Sequence, residues 1–371
     1  MDFALSDEHQ MLRDSARNFL QGEVDLTPLL VPGATVAAGG SGRIWRAMAA
    51  LGWSGLVIPE DYGGLGMSHV DLLMIVEQTG RSLAPCPLFG TLAGSWALIA
   101  AGSEAQKRTI LPQVADGTCR MALANAAEGG HAAISARGEG QAITLHGSCP
   151  LVVDAGQADR IVVVADYKDV ARYFLVDAAT ACLSIEELEW RDTTRDVCRI
   201  TLDGVPAEPL EKSVDETWPW IRDRLLLVLA AESAGGLQHV LDASVDYAKE
   251  RVAFGRPIGA YQAIKHALAD MKAQVECASV AVLYAAWALD VDPEAAPLAT
   301  AMAQSYASEA FCQAAFASIQ IFGAIGFTWE MRNHLYFKRA RANAELLGSP
   351  ARQRAEIFSI LAARQRAASH A

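Results

Sequence analysis

The chain has 371 residues, beyond the size at which one hydrophobic core usually stops growing, so two or three subdomains are expected. Hydrophobic residues at 52% and charged residues at 20% exclude extensive disorder and indicate a core-rich globular protein. A net charge of −12 argues against a broad nucleic-acid surface, which would need clustered Lys and Arg.

Residues 1–115 read as an N-terminal helical domain punctuated by Gly and Pro. Ser6 is placed to cap a first helix carrying Met11, Leu12, Ala16, Phe19 and Leu20 on its apolar side. Gly33 to Gly42 reads as a small-residue loop, Trp45 to Leu51 as a helix ending near Gly52, and Pro59 to Gly66 as a tight glycine-rich turn. Val70 to Gly80 and Thr91 to Gly102 are helical, and Ser103-Glu-Ala-Gln106 has capping-box spacing. The period then changes. Arg120 to Ala124, Ala142 to His146, Arg160 to Val164, Arg172 to Val176 and Val197 to Leu202 are short β-rich runs. No helix-length segment separates them, which predicts a middle antiparallel β domain over 116–212. From 213 to 371 long helices return, at about 216–250, 260–290, 294–322, 331–347 and 351–368, suiting a four-helix bundle with additions. The predicted fold class is α+β, in the order helical, β, helical.

The seven cysteines form no CxxC pair, so buried thiols in a reduced, cytoplasmic setting are expected. Met1-Asp-Phe-Ala-Leu-Ser-Asp-Glu8 is unlike a signal peptide, and apolar runs such as Trp96 to Ala101 or Leu225 to Ala231 are too short to span a bilayer. No membrane association is expected. Lys338, Arg339 and Arg341 read as a solvated basic face or an interface.

The chemistry concentrates at one helix-helix turn, Arg251-Val-Ala-Phe254-Gly255-Arg-Pro-Ile258-Gly-Ala-Tyr-Gln262. Alone, Arg251 is a charge favoured at a helix C-terminus, with Phe254 as core and Gly255 as the stop. A second stretch, Gln320-Ile-Phe-Gly323-Ala324-Ile-Gly326-Phe327, pairs an amide with close backbone approach, which suits a phosphate or ribose edge. Alone it is a helix C-cap.

Together, Tyr247, Arg251, Phe254-Gly255, Ile258, Gln262 and Ala269-Asp270-Met271, then Gln320 to Phe327 and Thr328-Trp-Glu330, resemble the nucleotide-contacting signature of the acyl-CoA dehydrogenase family. Gly52-Trp53 through Pro59-Glu60 and Tyr62-Gly-Gly, Glu77 with Gly80-Arg81, Leu111-Pro112 with Gly117, Asp192-Thr-Thr-Arg195 and Leu202-Asp203-Gly204-Val205-Pro206 extend the resemblance over most of the chain. It implies FAD as cofactor, an acyl-CoA thioester as substrate, an electron-transfer flavoprotein as acceptor, and a tetramer. It also implies that Arg251, Phe254 and Gln262, with Gln320 and Gly323, touch the pyrophosphate and adenosine of an FAD bound mainly by a neighbouring subunit. Glu330 falls at a structural position.

The departures lie elsewhere. Family members usually hold the flavin ring with a threonine-glutamate-proline stretch and a later Trp and Thr. This chain reads Leu123-Ala-Asn-Ala-Ala-Glu-Gly-Gly130 and Gly147-Ser-Cys-Pro-Leu151-Val-Val153, so Ala124, Leu151 and Val153 supply neither hydroxyl nor aromatic wall. Each unmet polar group of a buried ring would cost about 1–3 kcal/mol. The usual catalytic glutamate position reads Leu347, and the alternative base and its following arginine read Leu225 and Leu226. Leucine abstracts no proton, so no catalytic residue is assigned. Glu345, Glu232 and Asp223 remain as misregistered candidates, each with an ordinary reading as a helix-surface carboxylate.

The retained half-site serves a neighbour's FAD; the lost half-site is the chain's own. The chain therefore resembles the base-lacking subunit of bacterial two-subunit α2β2 enzymes, some acting on steroid side-chain CoA thioesters, with a homologous catalytic partner. The alternatives are a self-sufficient homotetramer using an unorthodox carboxylate, and a redox-inactive CoA-ester-binding scaffold.

Overall fold

Ser6 accepts a hydrogen bond from the His9 amide (3.2 Å) and so starts α1 (Asp7–Glu23) in the computed structural model, which describes residues 5–125, 134–140 and 142–369. Ala16 and Leu20 are buried as expected, but Met11, assigned to the same apolar side, is 65% exposed. The described contacts group into two units: Met1–Ala34, Ser68–Ala84 and Leu226–Ala371 form the first, Thr35–Met67 and Pro85–Leu225 the second.

The second unit holds α2 (Ser41–Ala50). The segment read as a loop from Gly33 to Gly42 instead carries a 3-10 turn at Val36–Gly39 and the first turn of α2. Buried Val36 and Ile44 anchor them, an apolar signal masked by the surrounding glycines. Between the two units in sequence runs α3 (His69–Ser82), which belongs to the first; Ser68 and Asp71 close a capping box at its start. Back in the second unit, α4 (Leu88–Ala101) is buried nearly all round, and α5 (Glu104–Ala115) begins with the expected Ser103–Gln106 capping box.

The sheet comprises β1 (Met121–Ala124), β2 (Ile134–Arg137), β3 (Thr144–Val153), β4 (Arg160–Tyr167), β5 (Val170–Asp177), β6 (Leu183–Glu187), β7 (Val197–Pro206) and β8 (Glu208–Pro209). Their order is β6-β7-β3-β2-β4-β5-β8, with β1 also paired to β4. Most pairings are antiparallel as expected; β4, however, runs parallel to both β1 and β2. β2 and β6 escape a propensity reading because each is short and partly polar. Ala124, Leu145, Val163, Phe174 and Ile200 meet in the sheet's core. At Gly94 a Cβ would stand 2.6 Å from the Met121 Cβ, so α4 lies directly on β1.

In the first unit, α6 (Thr217–Glu250, whose first turns belong to the second unit) is followed by a hairpin, β9 (Val252–Ala253) and β10 (Arg256–Pro257). Then come α7 (Gln262–Val291), α8 (Ala296–Phe322), α9 (Asn333–Glu345) and α10 (Pro350–Ser369). A Cβ at Gly80 would lie 2.1 Å from the Glu232 carbonyl oxygen, so α3 and α6 touch backbone to backbone there. By length and composition, α7 and the stretch Ala296–Phe327 are apolar enough to cross a bilayer, longer than the short apolar runs of the sequence suggest. Both turn a buried face into the fold, through Val275 and Val282 on α7 and Ala303, Ala307 and Phe311 on α8.

None of the seven cysteines forms a disulfide; Cys119, Cys149 and Cys198 are buried, whereas Cys182 and Cys277 are exposed, against the expectation of buried thiols.

Candidate functional site

The turn after α6 is tighter than a plain helix-helix connection. Ala253 pairs with Arg256, leaving Phe254 and Gly255 as a two-residue loop at φ 52° and 81°. Two successive left-handed residues make the primed turn that suits a hairpin, and glycine takes that shape freely. Phenylalanine does not: a bulky residue there is strained. Phe254 is also 96% exposed, which overturns its reading as core. The fold holds an aromatic ring in solvent, in a conformation it resists. The hairpin is braced by the Tyr261 hydroxyl donating to the Ala253 carbonyl (3.0 Å) and by the Ile258 amide donating to the Arg251 carbonyl (2.8 Å).

The second stretch reaches the same place through Tyr247, one turn before Arg251. Its ring stacks on Phe322 at 4.0 Å with planes 11° apart, and its hydroxyl donates to the Phe322 carbonyl (3.3 Å). Deeper along the same helices, Ser244 and Ser318 bond at 3.0 Å. The ends of α6 and α8 are thereby fixed side by side. α8 closes at Gly323 (φ 68°, ψ −148°), where a Cβ would meet nothing within 4 Å, leaving the backbone open to approach from outside. Gly326 differs: a Cβ there would press within 2.7 Å of Phe322.

Arg251, Gln262, Gln320 and Gly323 are exposed, and the three side chains make no hydrogen bond or ion pair among the described residues. The five predicted contact positions thus lie on the hairpin between α6 and α7, at the first residue of α7 and at the end of α8, as one guanidinium, two amides, one ring and one open backbone. Such a set fits a dinucleotide: donors for phosphate, a face for a base, and room for close approach. The sequence reading missed Phe322 as the joint. Its place two residues beyond Gln320, at the helix end, was the available signal.

The wall expected to face a flavin ring does not match. Ala124 is fully buried in the sheet's core, Val153 is buried, and Leu151 is half-buried; none offers a side-chain hydrogen bond. Ala126 to Gly130, part of the same departure, lie outside the described residues.

Around Leu347, polar groups are spoken for. Leu347 is buried, and its carbonyl accepts from Gln353 Nε2 (2.8 Å), itself fully buried. Glu232 is buried opposite Arg339 (Nη1 to Oε2, 3.7 Å), and Asn343 Nδ2 donates to it (3.3 Å). Glu345 is an exposed residue paired along its own helix with Arg341 (3.9 Å). Asp223 and Leu225 are buried in the second unit, and Leu226 is buried in the first. The surface reading of Arg339 is overturned: it is 2% exposed. Helical spacing carried the clue, since Arg339 shares a face with buried Leu335, Tyr336 and Asn343. Lys338 stands 4.4 Å over the Trp329 ring.

The acyl-CoA dehydrogenase N-terminal domain matches residues 6–118, and the C-terminal domain matches 199–361. The chain is 34% identical to acyl-CoA dehydrogenase IpdE2 of Mycobacterium tuberculosis, over 93% of this chain and 94% of that protein. Among solved structures, a variant of the Tcur3481-Tcur3483 steroid ACAD superposes with TM-score 0.85 at 28% identity, covering 97% of this chain and 99% of the other. A glutaryl-coenzyme A dehydrogenase bound to glutaryl-CoA superposes with TM-score 0.87 at 26% identity, covering 96% of each.

Proposed function

The chain belongs to the acyl-CoA dehydrogenase family, and from that membership we propose that it is the base-lacking subunit of a heteromeric enzyme that desaturates an acyl-CoA thioester. FAD is the family's cofactor; when bound, it supplies the acceptor for the hydride leaving the β carbon. This chain's contribution is binding. Arg251 neutralises pyrophosphate, Phe254 offers a face for the adenine, Gln262 and Gln320 reach the ribose and phosphate edges, and Gly323 lets them approach.

The observation that carries the reading is the bare arm: a strained Phe254, 96% exposed, beside free donors on two locked helix ends. Strain of this kind persists where a ligand or partner uses it. Leu347 at the usual base position, with Glu232 committed to Arg339, supports the absence of proton abstraction by this chain. The pairing of two components in the name of the steroid ACAD supports a homologous partner and a steroid-derived acyl group. The catalytic partner would supply the flavin wall and the carboxylate, and an electron-transfer flavoprotein would reoxidise the complex.

The test is purification of the chain alone and with a longer homologue that carries the glutamate. Acyl-CoA-dependent dye reduction is expected only from the mixed preparation. Stoichiometric flavin and dye reduction in the lone chain would establish the self-sufficient homotetramer instead.

A further inference from the structure

A cavity of about 430 Å3 lies in the first unit, walled by α6, the end of α8 and the segment leading into α9, with Thr27 and Leu30 closing its far side. Its size falls in the range of small-molecule sites, roughly 300–1,000 Å3. None of Arg251, Phe254, Gln262, Gln320 or Gly323 lines it. Phe322 separates the two places, stacking on Tyr247 toward the arm while also forming part of this wall.

The lining divides into an apolar interior and a charged mouth. Leu30, Val240, Phe322 and Met331 supply the apolar part. At the mouth stand Arg332 and Glu330, both exposed, and neither side chain is in a hydrogen bond or ion pair among the described residues; the Arg332 charge does reach Asp25, whose pKa it helps to lower after the Thr27 hydrogen bonds. Asn333 is already engaged, its Nδ2 donating to Ser318 Oγ (2.8 Å). His239 presents the remaining polar edge. Its ring stacks on Tyr336 at 4.2 Å, and its nitrogens have no hydrogen-bond partner among the described residues. Burial, with Arg81 and Arg332 nearby, lowers its pKa to about 4, so it is a neutral imidazole able to donate one N–H.

We propose that this cavity binds a small amphiphile, an apolar body of medium length ending in a single anionic group, with Arg332 pairing the anion at the mouth. A guanidinium in no ion pair, with only Asp25 in electrostatic reach, and a neutral N–H donor favour a single carboxylate. The exposed Glu330 carboxylate disfavours a multiply charged head such as a phosphate monoester. A purely apolar ligand would leave the mouth's donors unused, and an ammonium would face Arg332.

The experiment is isothermal titration of the purified full chain with decanoate, and with decanol as the uncharged control. Decanoate is expected to bind, and Arg332→Gln to weaken it about tenfold or more through loss of a charge-assisted contact. Ala243→Phe, which grows a ring into the cavity from its wall, is expected to abolish binding without touching a charge. Arg332 is exposed, so its variant keeps the test decisive even where Ala243→Phe fails to fold. Absence of binding in the unmodified chain, equal binding of decanol, or unchanged affinity in Arg332→Gln or in folded Ala243→Phe would each overturn the site.

Discussion

The end of α6 and the end of α9 lie in the same unit, yet they treat their polar residues in opposite ways. Around Arg251 the donors are left open, and a phenylalanine is held at φ 52° with its ring in solvent. Around Leu347 the carboxylate, guanidinium and amides of Glu232, Arg339, Asn343 and Gln353 bond within the fold. The first arrangement costs stability and returns nothing to the isolated chain; the second is what a helix bundle needs to bury charge. Groups left open can serve something outside the chain; groups bonded to one another hold the core.

That contrast breaks first where the largest effect lies. Arg339→Ala strands the buried Glu232 carboxylate and should cost about 3–5 kcal/mol in urea unfolding. Arg251→Ala, at an exposed position, should stay within about 0.5 kcal/mol. Comparable losses from both would erase the distinction. Next, Leu347→Glu places a carboxylate at a buried site and should cost about 1–3 kcal/mol, read as a lowered Tm. It should also leave the lone chain unable to reduce dye with acyl-CoA. Turnover in that variant would mean that only the base had been missing.

A smaller effect concerns pH. Burial lowers the pKa values of His239 and His334 from 6.5 to about 4, with Lys338 adding to the shift at His334. As pH falls below about 6.5 the unfolded chain takes up these protons first, so stability falls and levels off near about pH 4. Urea melts of His239→Phe, which keeps the stack on Tyr336, should show a shallower acid slope; an unchanged slope would remove His239 from the account. Smallest of all, Phe254→Asn should relieve left-handed strain and stabilise the chain by up to about 1 kcal/mol. A loss of stability instead would mean that the ring serves the isolated fold.

Much of this was legible in the sequence. Capping boxes are local, so Ser103–Gln106 could be placed from spacing alone. The arm was legible because its residues are contiguous around two turns, and its family signature survives. The strained left-handed turn at Phe254 was not: read alone, Phe254-Gly255 is a helix stop, and only the pairing of Ala253 with Arg256 makes it a hairpin loop. Arg339 was misread because its partner Glu232 lies more than a hundred residues away, and tertiary pairing leaves no local trace. The parallel pairing of β4 with β1 and β2 was hidden for the same reason, since strand propensity carries no direction.

The central claim is that this arm grips a cofactor seated largely on another subunit. It is tested most directly by counting FAD per complex when Arg251→Ala is introduced in this chain alone, beside an unaltered catalytic partner. A charge-assisted contact worth about 1.5–3 kcal/mol implies FAD affinity weakened by roughly ten- to a hundredfold, with assembly intact. Full FAD occupancy at the affinity of the unmodified complex would contradict it.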